Sequence, residues 1–520
     1  MAVDEANVGD VTRVRWFHWI VLLGLIGIGA VVRFHDITKV GFWPDEFWSS
    51  VHLATGRGTS VFDLPSGVLF DPPPPTLLQG APAWWHIWTG LKGIVHPPLY
   101  LILLRWWMDV FGTSDLATRA FSAVASLVGA AVLFDLVRRM FSTQAGLLAA
   151  CLMALSPLQI DLSQEARPYP LLILMGLLAC HALIRIEREG ASPGRLVQFT
   201  LAMLALMLTH YFCIGAVAAI AGYIVLRFRG RRRNRTLMAT VAAATLFAVC
   251  WGPFLLGQHR EFFRQGDWSL DPVPNPMFTL IRVASMPATF LFGRPEGYLN
   301  WLAPAGIAYL LPLLLVRRRP QMLLWWLWIV CIVGSIAAYD LYNGAHLLGF
   351  AKYTALASVG LYALCAAPLP GRKWGRWLVG YFMVAAVAIA ALERVQEGPT
   401  DNGDWRAMAQ GVDRLAGPDD AMVFYPDKFW GPPGMFFLAA AHYAHNQERP
   451  VMFLDSPADA SALAQLAKFK RIWLIGPSAG ADAGKFLPGW KAVLVRWFPA
   501  SGTFAELTAN APSPSHPAHP

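Results

Sequence analysis

Long apolar runs alternating with short arginine-bearing links restrict this chain more than any other feature. Runs of roughly 17–22 residues recur through its first three quarters, the length a helix needs to cross the hydrocarbon core of a bilayer. Between them stand Arg138-Arg139 and the arginine clusters of 227–235, 317–319 and 372–376. In lipid every backbone group must be satisfied internally, so runs this continuous are helices. The composition agrees: of the 520 residues 56% are hydrophobic and only 14% charged, against roughly 25% charged in a soluble domain. A net charge of +9 could suggest a nucleic-acid partner. Its distribution over links between apolar runs is the positive-inside pattern instead, which argues against nucleic acid and for a polytopic α-helical membrane protein.

That pattern sets an expected topology. The first run, Trp16–Phe34, follows Arg13 and Arg15, so the N-terminus is cytoplasmic. The run is long and lacks a small-residue cleavage site, which makes it a retained anchor, not a signal peptide. Residues 35–115 then form a long outward loop rich in Pro, Gly and Trp. Within it 97–111 reads as a helix that does not cross. The next run, 117–137, ends at Arg138-Arg139 and must therefore start outside, and Arg105 and Asp109 suit a half-wet helix. Further spans are expected at 144–161, 169–186, 196–209, 214–227, 236–256, 301–316, 321–339, 350–367 and 377–392, about eleven in all. Residues 257–300 are the second outward loop.

After Glu393 the composition turns soluble. Helices at 404–415, 434–445 and 458–469 alternate with strands at 421–424, 451–454, 471–475, 491–498 and 503–507, as in a small α/β domain. The expected organisation is a membrane domain at 1–393 (35–116 its catalytic outward loop), an extracytoplasmic α/β domain at 394–508, and a Pro/Ser/His-rich disordered tail at 509–520. All six cysteines lie in apolar runs, so neither a disulfide framework nor a zinc knuckle is available.

Chemistry is expected at the outward ends of the spans. Asp45-Glu46, set among Phe42, Trp43, Pro44, Phe47 and Trp48, is a costly placement for two carboxylates near a membrane surface. Asp161-Leu162-Ser163-Gln164-Glu165-Ala166-Arg167-Pro168-Tyr169-Pro170 is a proline-interrupted turn whose acids and arginine could bind a cation and a phosphate, or merely tether two spans. His96, at the start of His96-Pro97-Pro98-Leu99-Tyr100, and His210-Tyr211 are further candidates. So is Lys352-Tyr353, although a snorkelling Lys beside an interfacial Tyr is also ordinary.

Taken in order, these motifs resemble those of the GT-C glycosyltransferases of the protein O-mannosyltransferase and lipid A aminoarabinose transferase superfamily. The similarity covers roughly residues 33–353, and Asp404-Trp405-Arg406 is similar to the opening of the outer domain in bacterial members. The resemblance implies a membrane enzyme that takes a sugar from a polyprenyl monophosphate carrier on the outer face of the cytoplasmic membrane. By that likeness Asp45 is the catalytic carboxylate, acting as base, with Glu46 its neighbour, and Glu165 and Arg167 form a turn that holds the donor phosphate or an ion. Lys352-Tyr353 stands where members carry Arg-Tyr beside the carrier phosphate. Lys keeps the charge but loses the bidentate fork.

The chemistry is consistent with these roles. A carboxylate takes the acceptor proton, and Arg167, Lys352, Tyr353 and Tyr169 meet the leaving phosphate. A single base with no covalent intermediate gives inversion. Asp45 and Glu165, with His96 and Asp161 beside them, are the expected ligands of a divalent cation (Mg, Mn, Ca or Zn) if one is used, and His210 and Tyr211 are left for the acceptor. The acceptor is a lipid, glycan or protein. The competing readings are a transporter or flippase of a lipid-linked substrate and a polysaccharide polymerase or ligase. The first leaves the outer α/β domain unexplained, and the second would use basic and His residues of a late loop.

Overall fold

The computed structural model describes residues 14–59, 65–71, 75–91, 94–265, 276–293, 320–367, 373–397, 405–426, 434–443, 449–498 and 502–509. The expected span at 301–316 and the tail beyond 509 lie outside them. The helices are α1 (Trp16–Phe34), α2 (Leu99–Phe111), α3 (Asp115–Met140), α4 (Thr143–Leu155), α5 (Pro157–Ser163), α6 (Tyr169–Glu189), α7 (Pro193–Thr209), α8 (Ile214–Arg227) and α9 (Gly230–Gln265). They continue with α10 (Pro276–Phe292), α11 (Met322–Asn343), α12 (Ser358–Ala366) and α13 (Lys373–Glu397), then α14 (Trp405–Leu415), α15 (Gly434–Tyr443), α16 (Ala460–Leu466) and α17 (Ala479–Phe486). Among the described residues five helices are long and apolar enough to cross a membrane, namely α1, α3, α6, α9 (over Gly230–Gln258) and α11, or up to six if the α4–α5 pair is one span. α7, α10 and the segment ending in α8 are apolar but only 10–17 residues long.

Three expectations change. The run 144–161 is not one straight helix: α4 and α5 are bent by 58° at Ser156-Pro157, because Pro157 has no N–H to continue the ladder. The run 350–367 likewise begins as short turns, Ala351–Thr354 and Ala355–Ala357, before α12. Part of 257–300, expected to be loop, forms the apolar helix α10, whose Phe290 and Leu291 are buried. As for 97–111, the 13-residue α2 rises only about 20 Å, short of the ~30 Å core.

By contact the chain divides into two compact units. One comprises residues 1–37, 93–100 and 119–399, and the other 38–92, 101–118 and 400–520. The outward loop thus groups largely with the C-terminal segment.

In the first unit α4 packs between α1 and α12, α6 against α7, and α8 against α11. A Cβ on Gly215 would lie 2.5 Å from Ile332 Cα, so α8 and α11 approach at a distance only glycine permits. Arg33 of α1 is fully buried. Its guanidinium donates to Ala154 O (2.6 Å), Met153 O (3.1 Å), Gly29 O (3.1 Å) and Ser126 Oγ (3.1 Å). Met153 O is the acceptor that Pro157 would have bonded, so Arg33 satisfies the carbonyl exposed by the helix break.

The second unit holds a six-stranded sheet in the order β1-β3-β2-β4-β6-β5. Its strands are β1 (Leu69–Phe70), β2 (Ala421–Phe424), β3 (Val451–Phe453), β4 (Ile472–Gly476), β5 (Trp490–Phe498) and β6 (Gly502–Ala509). β3, β2 and β4 are parallel, and β1, β6 and β5 add antiparallel. Every residue of β2 and β4 is buried, as parallel strands covered on both faces require. The five expected C-terminal strands are present. β1, contributed by the outward loop, and α17 were not expected.

Candidate functional site

Two groups of polar residues stand out, one in each unit. In the first unit, the link between α5 and α6 is fixed at several points. Gln164 donates to Arg33 O (3.2 Å) and His35 O (2.9 Å), and Ser122 Oγ donates to Arg167 O (3.0 Å). Pro168 and Pro170 keep the link from extending the helix until Tyr169 starts α6. Arg167 is buried, and its guanidinium lies 5.8 Å from the centre of the Tyr169 ring. From Tyr169 an aromatic chain runs to His210 (5.6 Å), from His210 to His96 (5.4 Å), and from Tyr169 to Tyr353 (6.4 Å). Lys352 Nζ sits 5.4 Å from the Tyr353 ring, and Phe212 lies between His210 and Tyr353, tilted to the first and edge-on to the second.

Arg167, Lys352, Tyr169 and Tyr353 thus gather, joined by both histidines, His96 and His210. Burial first, then Arg167 and Lys352, pull the His96 pKa down to about 3. Burial, His96 and the same two cations hold His210 well below its usual value. The His96 Nδ1 and the Tyr169 hydroxyl are buried with no hydrogen-bond partner among the described residues. Two cations beside unsatisfied buried polar atoms form a site shaped for an anion.

Tyr211 is held differently. Its hydroxyl donates to Gln258 and accepts from Trp251 Nε1 (2.8 Å), and Gln258 donates to His96 O (3.3 Å). Tyr211 therefore reaches the cluster through Gln258.

The expected cation set does not assemble. Among the described residues no three of His, Cys, Asp and Glu group as metal ligands. Asp161 is paired with Arg394, and His96 lies among cations that repel a metal ion. Glu165 is half-buried on the link, its carbonyl accepting the Arg167 N–H (2.8 Å).

In the second unit Asp45 and Glu46 lie in the three-residue helix Pro44–Glu46, which runs into a π-helical turn at Phe47–His52. Glu46 is fully buried and accepts the Trp43 N–H at 3.3 Å, while Asp45 is half-buried. Sequence reading missed what positions this turn. Asp115, at the start of α3, is buried and receives Arg406 (2.6 Å), Tyr443 Oη (2.8 Å) and His442 Nε2 (3.1 Å). Tyr443 Oη in turn accepts the Phe42 N–H (2.7 Å), and Phe47 lies edge-on to the rings of His442 and Tyr443. Arg406 also donates to Thr38 O (2.8 Å), and a Cβ on Gly41 would come 2.8 Å from Arg406 Cβ. Burial and Asp115 push the Tyr443 pKa well above its ordinary value, so it stays a neutral donor. The acid-aromatic turn is thereby pinned from both sides. Arg406, in the expected Asp-Trp-Arg motif, was the one part of this network visible in the sequence.

Comparison with known proteins agrees with the class these features define. The fold is that of ArnT from Cupriavidus metallidurans in the apo state, with a TM-score of 0.58 and 14% identity over 95% of this chain and 99% of that one. It is equally that of the same protein bound to undecaprenyl phosphate, with a TM-score of 0.58 and 15% identity over 96% and 100%. The Archaeoglobus fulgidus oligosaccharyltransferase follows with a TM-score of 0.50 and 13% identity over 88% and 70%. Residues 95–256 match the family described as Dolichyl-phosphate-mannose-protein mannosyltransferase. No curated protein sequence matches significantly. The chain has the fold of the GT-C membrane glycosyltransferases, as its ordered motifs led us to expect. The family match contains His96, Asp161, Glu165, Arg167, Tyr169, His210 and Tyr211, and leaves Asp45, Glu46, Lys352 and Tyr353 outside it.

Proposed function

We propose that this chain transfers a sugar from a polyprenyl-monophosphate-linked donor to a hydroxyl acceptor on the outer face of the bacterial cytoplasmic membrane. The observation that carries this reading is the cluster of Arg167, Lys352, His96, His210, Tyr169 and Tyr353, with buried polar atoms left unsatisfied. Such a site suits a phosphate, because guanidinium and ammonium supply charge while the tyrosines and histidines supply donors. The related ArnT, solved with undecaprenyl phosphate, supports a lipid phosphate as occupant.

Asp45 is the base. As the acceptor oxygen bonds the anomeric carbon, Asp45 takes the hydroxyl proton. The bond from that carbon to the phosphate oxygen breaks with its electron pair, and Arg167 and Lys352 receive the growing negative charge. Glu46 is committed to the Trp43 N–H, so one carboxylate acts and the transfer inverts the anomeric configuration.

The test is transfer from a radiolabelled undecaprenyl-phosphate sugar by membranes carrying Asp45→Asn. The variant is expected to insert and melt like the parent and to lose at least a hundredfold in turnover, as removal of a general base does. Full transfer by a folded Asp45→Asn protein overturns the reading. Lipid-linked substrate movement that survives the substitution points to a transporter.

A further inference from the structure

His96 and His210 lie side by side but are held in different ways. His210 Nδ1 accepts the Phe212 N–H at 3.2 Å. A nitrogen that accepts from a backbone N–H carries no proton, so His210 is neutral with its hydrogen on Nε2. His96 has its carbonyl fixed by Gln258, while its Nδ1 is buried with no hydrogen-bond partner among the described residues. The titratable groups that act on it come from several elements: Arg167 from the α5–α6 link, His210 from the end of α7 and Lys352 from the turn before α12, with Tyr169 on the far side of His210 and Tyr353 beyond Tyr169. A ring nitrogen placed among these donors has one matching occupant, the oxygen of an anion.

We infer that His96 is a direct ligand of the carrier phosphate and takes up a proton when the leaving lipid monophosphate forms. This rests on the reading of the cluster as the lipid-phosphate site. In the donor the phosphate is a diester with one negative charge. Once the bond to the sugar breaks, it becomes a monoester whose second ionisation lies near pH 6. The acceptor's proton leaves through the base to solvent, and a solvent proton on His96 offsets the new phosphate charge. The donor is then held by two cations and the product by three. Burial, Arg167 and Lys352 favour the neutral form of His96, and a phosphate dianion beside it would reverse that local field.

The experiment is calorimetric binding of undecaprenyl phosphate to the full chain in zwitterionic nanodiscs at pH 7.5. Running it in two buffers of different ionisation enthalpy counts the protons exchanged. His96→Asn is expected to bind roughly tenfold more weakly and to take up about one proton fewer than the parent. His96→Gln serves in its place if the first variant does not keep the parental melting temperature. A folded variant that matches the parent in both affinity and proton count overturns the inference. Arg167→Ala and Lys352→Ala separate the two levels. If they weaken binding while the His96 variants do not, only the role of His96 falls. If they too bind the carrier like the parent, the phosphate site itself is misassigned.

Discussion

Asp45 and Glu46 are neighbours in one short helix, yet Glu46 is fully buried against Trp43 N and Asp45 is half-buried. The sequence located the pair but could not divide its roles, because the division comes from a three-residue helix start. His52, six residues on, shows the opposite limit. It reads as one more loop histidine, but it is buried with Nδ1 2.8 Å from Pro75 O and Nε2 3.0 Å from Gly58 O. It fastens the returning loop to the turn that carries Asp45 and Glu46. Burial pulls its pKa from 6.5 down to about 4, against the two carbonyls, which raise it. The folded pKa is the lower one, so unfolding is coupled to proton uptake. Its contribution is complete above about pH 6.5 and is lost as the pH falls toward about 4. The melting temperature should therefore drop across that window in the parent, and the drop should be shallower in His52→Gln, which does not titrate. Parallel pH profiles for the two proteins would remove His52 as a source of acid sensitivity.

At the scale of elements, hydropathy located helices well and breaks poorly. Trp16–Phe34 is the helix expected, residue for residue, because one apolar stretch between polar flanks has no competing arrangement. The run 144–161 is equally apolar but bends at Ser156-Pro157; a window average does not register one missing N–H. β1 and the Asp115 network were hidden for another reason, since their partners lie more than 290 residues away in sequence. The break is stable because Arg33 covers the carbonyls of Met153 and Ala154. Arg33→Met should leave those buried acceptors unsatisfied at a cost of about 2–4 kcal/mol. Arg33→Lys, which lacks the fork, should recover only part of it. Melting in detergent measures both. Two variants as stable as the parent would mean the bend does not depend on this arginine.

For the whole chain, the strongest evidence of sidedness is internal to the helical unit. At one end of α6, Glu187 and Glu189 pair with Arg227, Arg195 and Arg139, and Asp135 pairs with Arg138, Arg139 and His181. At its other end Tyr169 opens into the His96–His210–Lys352 cluster. The 21 residues of α6 rise about 30 Å, so two polar layers stand a bilayer thickness apart. The positive-inside rule expects the arginine-rich layer in the cytoplasm, and on that expectation the Arg167–Lys352 cluster faces out. Arg394, near the end of α13, pairs with Asp161 beside the link that carries Arg167, so the chain leaves the helical unit at the layer of that cluster, which the positive-inside rule expects outside. Alkaline phosphatase fused after Glu397 should therefore be active and a fluorescent protein at the same point dark. The reverse result would invert the expected topology and put Arg167 and Lys352 on the cytoplasmic face, where an outward-facing transfer could not use them.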